Sequence, residues 1–157
     1  MKKPVIIVIA LIYILAIVVV GFLGIPARVY NPETFVQDIN LVFDDKLTSM
    51  PPSEDTPFRY RISSAEAVTF NVTAKVVPNE ATQKKVIFEK RDNYNETIYT
   101  YQTEYNEKNG YTIATYNVAP IPAGSIRVIS IKVRPTDGNK LLYKMIDIYV
   151  MNINTGD

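Results

Sequence analysis

Residues 68 to 76, VTFNVTAKV, carry the clearest structural signal in the chain. Apolar side chains occupy every second position, and threonine, asparagine or lysine stands between them; the apolar set is Val68, Phe70, Val72, Ala74 and Val76. Successive side chains of a strand point to opposite faces, whereas a helix repeats every 3.6 residues. The stretch therefore predicts a strand with one buried face, ended by Pro78.

Segments with a similar alternation lie on both sides of this strand. They are residues 39–43, 58–62, 85–89, 97–105, 111–118, 125–134 and 141–153. Asn109-Gly110 and Asp137-Gly138 separate the last two pairs, and such dipeptides supply the positive φ angles of tight hairpins. Between them the segments predict an all-β fold, an antiparallel β-sandwich of seven to eight strands, with a small barrel as the alternative.

The N-terminal part of the chain has a different character. Residues 4 to 27, PVIIVIALIYILAIVVVGFLGIPA, contain no charged side chain, and Lys2 and Lys3 precede them. The twenty residues from Val5 to Gly24 would span about 30 Å as a helix, which is the thickness of a bilayer's hydrocarbon core. This predicts a single-pass anchor, and the preceding lysines put the N-terminus in the cytoplasm. A cleaved signal peptide is the alternative.

This organisation divides the chain into three parts. Residues 1–27 form the cytoplasmic N-terminus and transmembrane anchor, which contacts the bilayer through residues 4–27. Residues 28–35 form a short stalk, and residues 36–157 form one extracytoplasmic domain. After position 24 the chain has fifteen basic and sixteen acidic residues, a net charge of −1 that does not favour nucleic acid as a partner.

The composition also bears on chemistry. The chain has no cysteine, histidine or tryptophan, so disulfides, thiol nucleophiles and imidazole bases are absent. No glycine-rich phosphate loop occurs, which argues against nucleotide binding. Asp44-Asp45 and Glu54-Asp55 offer oxygen atoms, but no loop of alternating Ca²⁺ ligands follows them. We expect no enzyme activity, no cofactor and no metal site.

Tyrosines are the candidate partner surface. Tyr99, Tyr101 and Tyr105 share one parity in a predicted strand, so they lie on one face of a sheet. Tyrosine combines a rigid contact area with a hydrogen-bonding tip and is enriched at recognition surfaces, but it is also a common strand residue that covers or fills a core. Two Asn-x-Thr sequons, at Asn71 and Asn95, are further candidates for modification.

The segment VTFNVTAKVVPNEATQKKVIF resembles the bacterial group 2 immunoglobulin-like domains, found as modules in intimin- and invasin-type surface proteins. The similarity rests on a strand ended by Pro78, an Ala81-Thr82 pair, and a strand closed by an aromatic residue, here Phe88 where the family usually has tryptophan. The resemblance implies an immunoglobulin-like sandwich exposed on a bacterial surface, and it implies no binding residue. Phe88 is expected in the core between the sheets.

Two functions follow as hypotheses. The first is a non-catalytic, membrane-anchored surface module that binds a surface protein or a glycan, or that serves as a spacer. The alternative is an accessory subunit of a membrane complex that contacts its partners through its single helix. The first is favoured because no pair of small residues marks a packing face in the middle of the apolar run.

Overall fold

The computed structural model describes residues 9, 11–15, 33–91 and 98–153. The chain divides into two compact units, Met1–Glu33 and Thr34–Asp157. In the first unit Ile9 and residues 11–15 are helical. No helix within the described residues is long and apolar enough to cross a membrane. Most of the predicted anchor at 4–27, and residues 28–32 of the predicted stalk, lie outside the described residues.

The second unit is an all-β sandwich of two sheets. Within the described residues it has nine strands: β1 Asp38–Phe43, β2 Thr48–Ser49, β3 Phe58–Ser63, β4 Val68–Val77, β5 Val86–Lys90, β6 Tyr99–Asn106, β7 Tyr111–Val118, β8 Ile126–Pro135 and β9 Lys144–Met151. The four-stranded sheet has the order β1-β4-β7-β6, and the five-stranded sheet has the order β2-β3-β9-β8-β5. The sandwich prediction is thus confirmed, with one strand more than the seven or eight expected, because the two-residue β2 is too short to show a period.

One pairing differs from the antiparallel expectation. β3 pairs with β9 in parallel, with Tyr60 opposite Ile148, whereas the other six strand pairings are antiparallel. Strands joined by a short turn must be antiparallel, but β3 and β9 are separated by most of the domain, so connectivity leaves their direction free. The five-stranded sheet is therefore mixed.

The core lies between the facing sheets, and the alternating residues of β4 supply its centre. Phe70, Val72, Ala74 and Val76 are all buried, and they belong to one core cluster with residues of β8 and β9 such as Ile129, Ile146 and Ile148. Each apolar side chain of this size contributes about 1.5 to 3 kcal/mol when fully buried. Phe88 is 3% exposed and belongs to this core, as the sequence predicts.

The start of β9 is also corrected. The alternation suggests a strand from residue 141, but β9 begins at Lys144. The Asn139 Oδ1 atom accepts hydrogen bonds from the amides of Leu141 and Leu142, at 3.1 and 3.3 Å, and these bonds hold residues 139–142 in a turn. A side chain that bonds the backbone locally competes with strand pairing, which periodicity alone does not reveal.

Candidate functional site

The three candidate tyrosines lie on the inward side of β6, an edge strand. Tyr101 stands opposite the buried Tyr116 of β7, and Tyr105 stands opposite the buried Thr112. Tyr99 is 5% exposed and belongs to the core, Tyr101 is 40% exposed, and Tyr105 is half-buried. The structure brings the rings of Tyr99 and Tyr101 within 6.4 Å. A partner role for the three tyrosines stays a prediction.

A stack of three rings crosses the four-stranded sheet on this side. The Tyr116 ring lies 5.2 Å from Phe70 at 13° and 5.4 Å from Tyr101 at 15°, measured between ring centroids and planes. Burial, together with the neighbouring Tyr101, raises the pKa of the Tyr116 phenol far above its ordinary value. Tyr116 is therefore uncharged over the whole range of biological pH, and the stack is apolar packing rather than an acid or base.

Two side chains of the four-stranded sheet hydrogen bond to the edge strand of the other sheet. The Tyr101 hydroxyl donates to the Phe88 carbonyl oxygen at 3.3 Å, and the buried Thr112 hydroxyl accepts from the Val86 amide at 3.1 Å. An exposed edge with free amides and carbonyls invites pairing with another chain. Tyr101 and Thr112 occupy part of the β5 edge, which gives both residues a structural role.

Part of the outward side of the four-stranded sheet, on β4 and β7, carries amide and hydroxyl side chains. Across the β4–β7 pair the Thr69 hydroxyl donates to Asn117 Oδ1 at 2.8 Å, and the Thr115 hydroxyl donates to Asn71 Oδ1 at 2.8 Å. The two pairs run in opposite senses, threonine on β4 in one and on β7 in the other. We call this surface, with Gln102 beside it on β6, the amide–hydroxyl face.

Both asparagines of this face present their amide nitrogens outward. Each Oδ1 atom is already engaged by a threonine hydroxyl, and within the described residues neither Nδ2 atom of Asn71 or Asn117 has a protein partner. An asparagine amide has two N–H donors and two acceptor sites. Fixing the carbonyl end orients the donors toward solvent, so the face offers donors whose orientation is set before any ligand arrives.

A shallow depression lies at one side of the face. Its volume is about 290 Å³, and it is lined by Asn71, Gln102, Thr103, Glu104, Ile113 and Thr115. Glu104 is the one ionisable residue of this lining. The depression therefore combines amide and hydroxyl groups with one apolar side chain and one carboxylate.

The outward side of the five-stranded sheet is chemically different, because it carries charged side chains that bind neighbouring side chains. Arg134 contacts Glu89 at 2.6 Å, and this hydrogen bond holds the pKa of the Glu89 carboxyl below its ordinary value. Asp147 accepts a hydrogen bond from the Ser130 hydroxyl at 2.7 Å. Arg59 donates to the Tyr149 hydroxyl at 2.8 Å. These groups are less available to an external partner than the amides of the other sheet.

The acidic pairs have different surroundings. The Asp44 carboxylate accepts hydrogen bonds from the amides of Lys46 and Asn71, at 3.1 and 3.2 Å, and so closes the turn after β1. Glu54 and Asp55 are exposed in the loop before β3. Across residues 33–91 and 98–153 no group of three acidic side chains is close enough to hold a metal ion.

Of the two sequons, Asn71 is exposed on β4 within the amide–hydroxyl face, and Asn95 lies outside the described residues. Sequence reasoning did not identify this face as a candidate site. The sequence feature that could have identified it is a repeated Thr-aromatic-Asn triplet, Thr69-Phe70-Asn71 and Thr115-Tyr116-Asn117. Their meaning depends on the β4–β7 register, which aligns them in opposite directions.

No family model matches the chain, and a search of curated proteins also finds no match.

Proposed function

We propose that this protein is a non-catalytic, membrane-anchored surface module of the bacterial immunoglobulin-like kind that binds a glycan through its amide–hydroxyl face. The observation that carries the proposal is the pair of asparagine amides, Asn71 and Asn117, whose oxygens are held by threonine hydroxyls. Sugars present many hydroxyl groups, which can bind neutral donors and acceptors held in fixed positions. Groups that are already oriented lose less entropy when a ligand binds.

The strand order supports the immunoglobulin-like assignment. When β1 and β4 to β9 are lettered A to G, the sheets become A-B-E-D and C-F-G, the arrangement of an immunoglobulin constant-type sandwich. The parallel β3–β9 pair and the short β2 extend the second sheet beyond strand G. Phe88 fills the core position on strand C, where the family resemblance marks an aromatic residue.

The membrane attachment in this proposal rests on the apolar run at 4–27. Fifteen of the twenty residues from Val5 to Gly24 are valine, isoleucine, leucine or phenylalanine. At about −0.3 to −0.6 kcal/mol each, they favour insertion by about −5 to −9 kcal/mol. The full-length protein should therefore stay with membranes through high-salt washing, since salt screens only electrostatic attachment. Release by salt, or recovery of the whole domain in the medium, would contradict the anchor.

Glycan binding is tested with the full-length protein in phosphatidylcholine nanodiscs on a glycan array. Once a ligand is found, Asn71→Ala, Asn117→Ala and Gln102→Ala should each weaken it. The loss of one net hydrogen bond, about 0.5 to 1.5 kcal/mol, corresponds to an affinity about twofold to tenfold lower.

Gln83→Ala is the matched control for Gln102→Ala, because Gln83 is an exposed glutamine in the loop between β4 and β5. If the three face variants bind the glycan with the parent's affinity, the amide–hydroxyl face is not the binding site. If the face variants instead lose binding to a protein ligand, the face is still the binding site, but the partner is a protein and not a glycan. No binding to any glycan would favour a spacer.

A further inference from the structure

A pocket beside the hairpin between β6 and β7 concentrates positive charge. Its volume is about 220 Å³. Three lysines and one glutamate give its lining a formal charge of +2, whereas the chain after position 24 has a net charge of −1. We call it the lysine pocket, and the residues that line it are Lys75, Val76, Asn79, Lys84, Glu107, Lys108, Asn109 and Gly110.

The three lysines come from three separate segments of the chain. Lys75 lies near the end of β4, Lys84 lies in the loop between β4 and β5, and Lys108 lies in the hairpin between β6 and β7. The β4–β7 register pairs Lys75 with Tyr111, the residue directly after Gly110, so the end of β4 lies beside the hairpin. The lysines are therefore brought together by strand pairing and not by their spacing in the sequence.

The backbone of the hairpin is fixed by Asn106. Its carbonyl oxygen accepts a hydrogen bond from the Gly110 amide at 2.8 Å, and its Oδ1 atom accepts one from the Asn109 amide at 3.0 Å. Gly110 has a φ of 65°, and a β-carbon added there would lie 3.3 Å from Cδ of Lys84. The half-buried Lys84 side chain thus passes close to the hairpin backbone, which restricts the directions that its ammonium group can take.

The three lysines have no ion-pair partner within the described residues. Glu107 lines the same pocket but forms no ion pair with any of them, whereas Arg134 is bound to Glu89 elsewhere in the domain. Ammonium groups that share a pocket repel one another, and a bound anion removes that repulsion. A concave surface lined by one sign of charge also raises the local concentration of ions of the opposite sign. The pocket therefore favours an anionic ligand.

A tetrahedral oxyanion fits this arrangement better than a carboxylate. A lysine ammonium is a compact point charge, so lysines from three segments can each approach a different oxygen of a phosphate or sulfate group. A carboxylate has two oxygens in one plane and is best matched by the planar fork of arginine, and no arginine is among the described residues that line the pocket. The volume equals that of about seven water molecules at roughly 30 Å³ each, which is enough for one such group.

The pocket adjoins the side of the sheet that carries the amide–hydroxyl face. Asn71 and Lys75 are both exposed on β4 and have the same parity, with the buried Val72 and Ala74 between them pointing inward. Four residues of a strand cover about 13 Å. A ligand that contacts both Asn71 and Lys75 is therefore an extended chain of sugars and not a single sugar.

We infer that the lysine pocket holds a phosphate or sulfate group of the glycan that binds the amide–hydroxyl face, and that this glycan is an acidic polysaccharide. The inference rests on the glycan binding proposed above and names the class of glycan. The face supplies donors to sugar hydroxyls, and the pocket binds the charge. A free inorganic ion carries the same chemistry, so the test separates the two sources.

Dextran and dextran sulfate are matched probes, because they share one sugar backbone and differ in the sulfate groups. The full-length protein in phosphatidylcholine nanodiscs is titrated with each probe, and with inorganic sulfate, by calorimetry at low salt. Dextran sulfate should bind more tightly than either of the others. The double variant Lys75→Gln/Lys108→Gln should lower its affinity about twofold to thirtyfold, the effect of losing two exposed ion pairs.

The double variant Lys85→Gln/Lys140→Gln is the matched control, because it removes the same charge from exposed lysines outside the pocket lining. It should bind dextran sulfate as the parent does. Equal losses in the two double variants would indicate general attraction to a polyanion and would overturn the inference. Dextran sulfate that binds no more tightly than dextran would also overturn it. Inorganic sulfate that binds as tightly as dextran sulfate would make the pocket a site for a free ion.

Asn71→Ala distinguishes failure of the pocket from failure of the face. It should weaken binding of dextran sulfate and leave binding of inorganic sulfate unchanged. If dextran sulfate binding is unaffected by Asn71→Ala and weakened in Lys75→Gln/Lys108→Gln, the face is wrong and the pocket is not. If a glycan bound through the face keeps its affinity in Lys75→Gln/Lys108→Gln, the pocket is wrong and the face is not.

Discussion

The hydroxyl of Tyr101 donates a hydrogen bond to the carbonyl oxygen of Phe88 at 3.3 Å, and this contact joins the edge strands of the two sheets. Tyr101 lies on β6, the last strand of the four-stranded sheet, and Phe88 lies on β5, the last strand of the other. The Phe88 side chain fills the core while its backbone is bound by a side chain from the facing sheet. Core packing and edge protection are therefore coupled at one residue.

Phe88→Ala should lower the free energy of unfolding by about 3 to 5 kcal/mol, through lost burial and the cavity left behind. Ile87→Ala is the control, since Ile87 is the next residue of β5, points to the outward side and is only half-buried. It should cost about 1 kcal/mol, near the average for point substitutions. Urea titration followed by circular dichroism measures both. Equal losses would contradict the assignment of Phe88 to the core.

Tyr101→Phe and Tyr101→Ala separate the two contacts of this side chain. Removing the hydroxyl alone should cost about 0.5 to 1.5 kcal/mol, because the hydrogen bond to Phe88 is lost. Tyr101→Ala should cost more, by a further 0.5 to 1.5 kcal/mol or so, since the ring stacked on Tyr116 is also removed. The same titration applies. If both variants are as stable as the parent, Tyr101 is free to serve as a partner surface.

Thr112→Val should destabilise the sandwich by about 1 to 3 kcal/mol, since valine keeps the shape but leaves the Val86 amide without its acceptor. Thr103→Val is the matched control, because Thr103 is exposed on the neighbouring strand β6. It should change stability by less than about 0.5 kcal/mol. Hydrogen exchange of the Val86 amide gives a second readout, and it should be faster only in Thr112→Val. Slow exchange there would mean that another group protects the amide.

The ion pair between Asp38 and Lys144, at 2.7 Å, joins β1 to β9 and should make stability depend on acid. The hydrogen bond from Lys144 lowers the pKa of the Asp38 carboxyl below its ordinary value of 3.8. A lowered folded-state pKa means that the contribution is complete above that ordinary value and is lost as pH falls through the folded pKa.

Asp38→Asn should therefore be less stable than the parent at pH 7, by about 0.2 to 1 kcal/mol for an exposed pair, and equally stable near pH 2. Asp45→Asn is the control, because Asp45 is exposed and has no ion-pair partner within the described residues. Denaturation between pH 2 and 7 measures the difference. A constant gap between parent and Asp38→Asn across that range would exclude the ion pair as its cause.

Part of the fold could be read from local patterns because a strand with one buried face has a period of two. The alternation from Val68 to Val76 identified β4 and its buried face, and the dipeptides ending in Gly110 and Gly138 located two turns in which glycine has a positive φ. The parity of Phe88 with Val86 placed both side chains in the core. Each of these inferences depends on neighbours within a few residues.

Other features depended on which strands meet. The parity of Tyr99, Tyr101 and Tyr105 put them on one face, but whether that face points inward is decided by the pairing of β6 with β7 and by the opposing β5. The two Thr–Asn pairs form only when β4 and β7 align residue 71 with residue 115, and the parallel β3–β9 contact joins residues 88 positions apart, such as Tyr60 and Ile148. Sequence determined where the strands are and which residues share a face. Only the tertiary structure decided which faces meet, because contacts between distant strands are selected by the packing of the whole core and not by any local period.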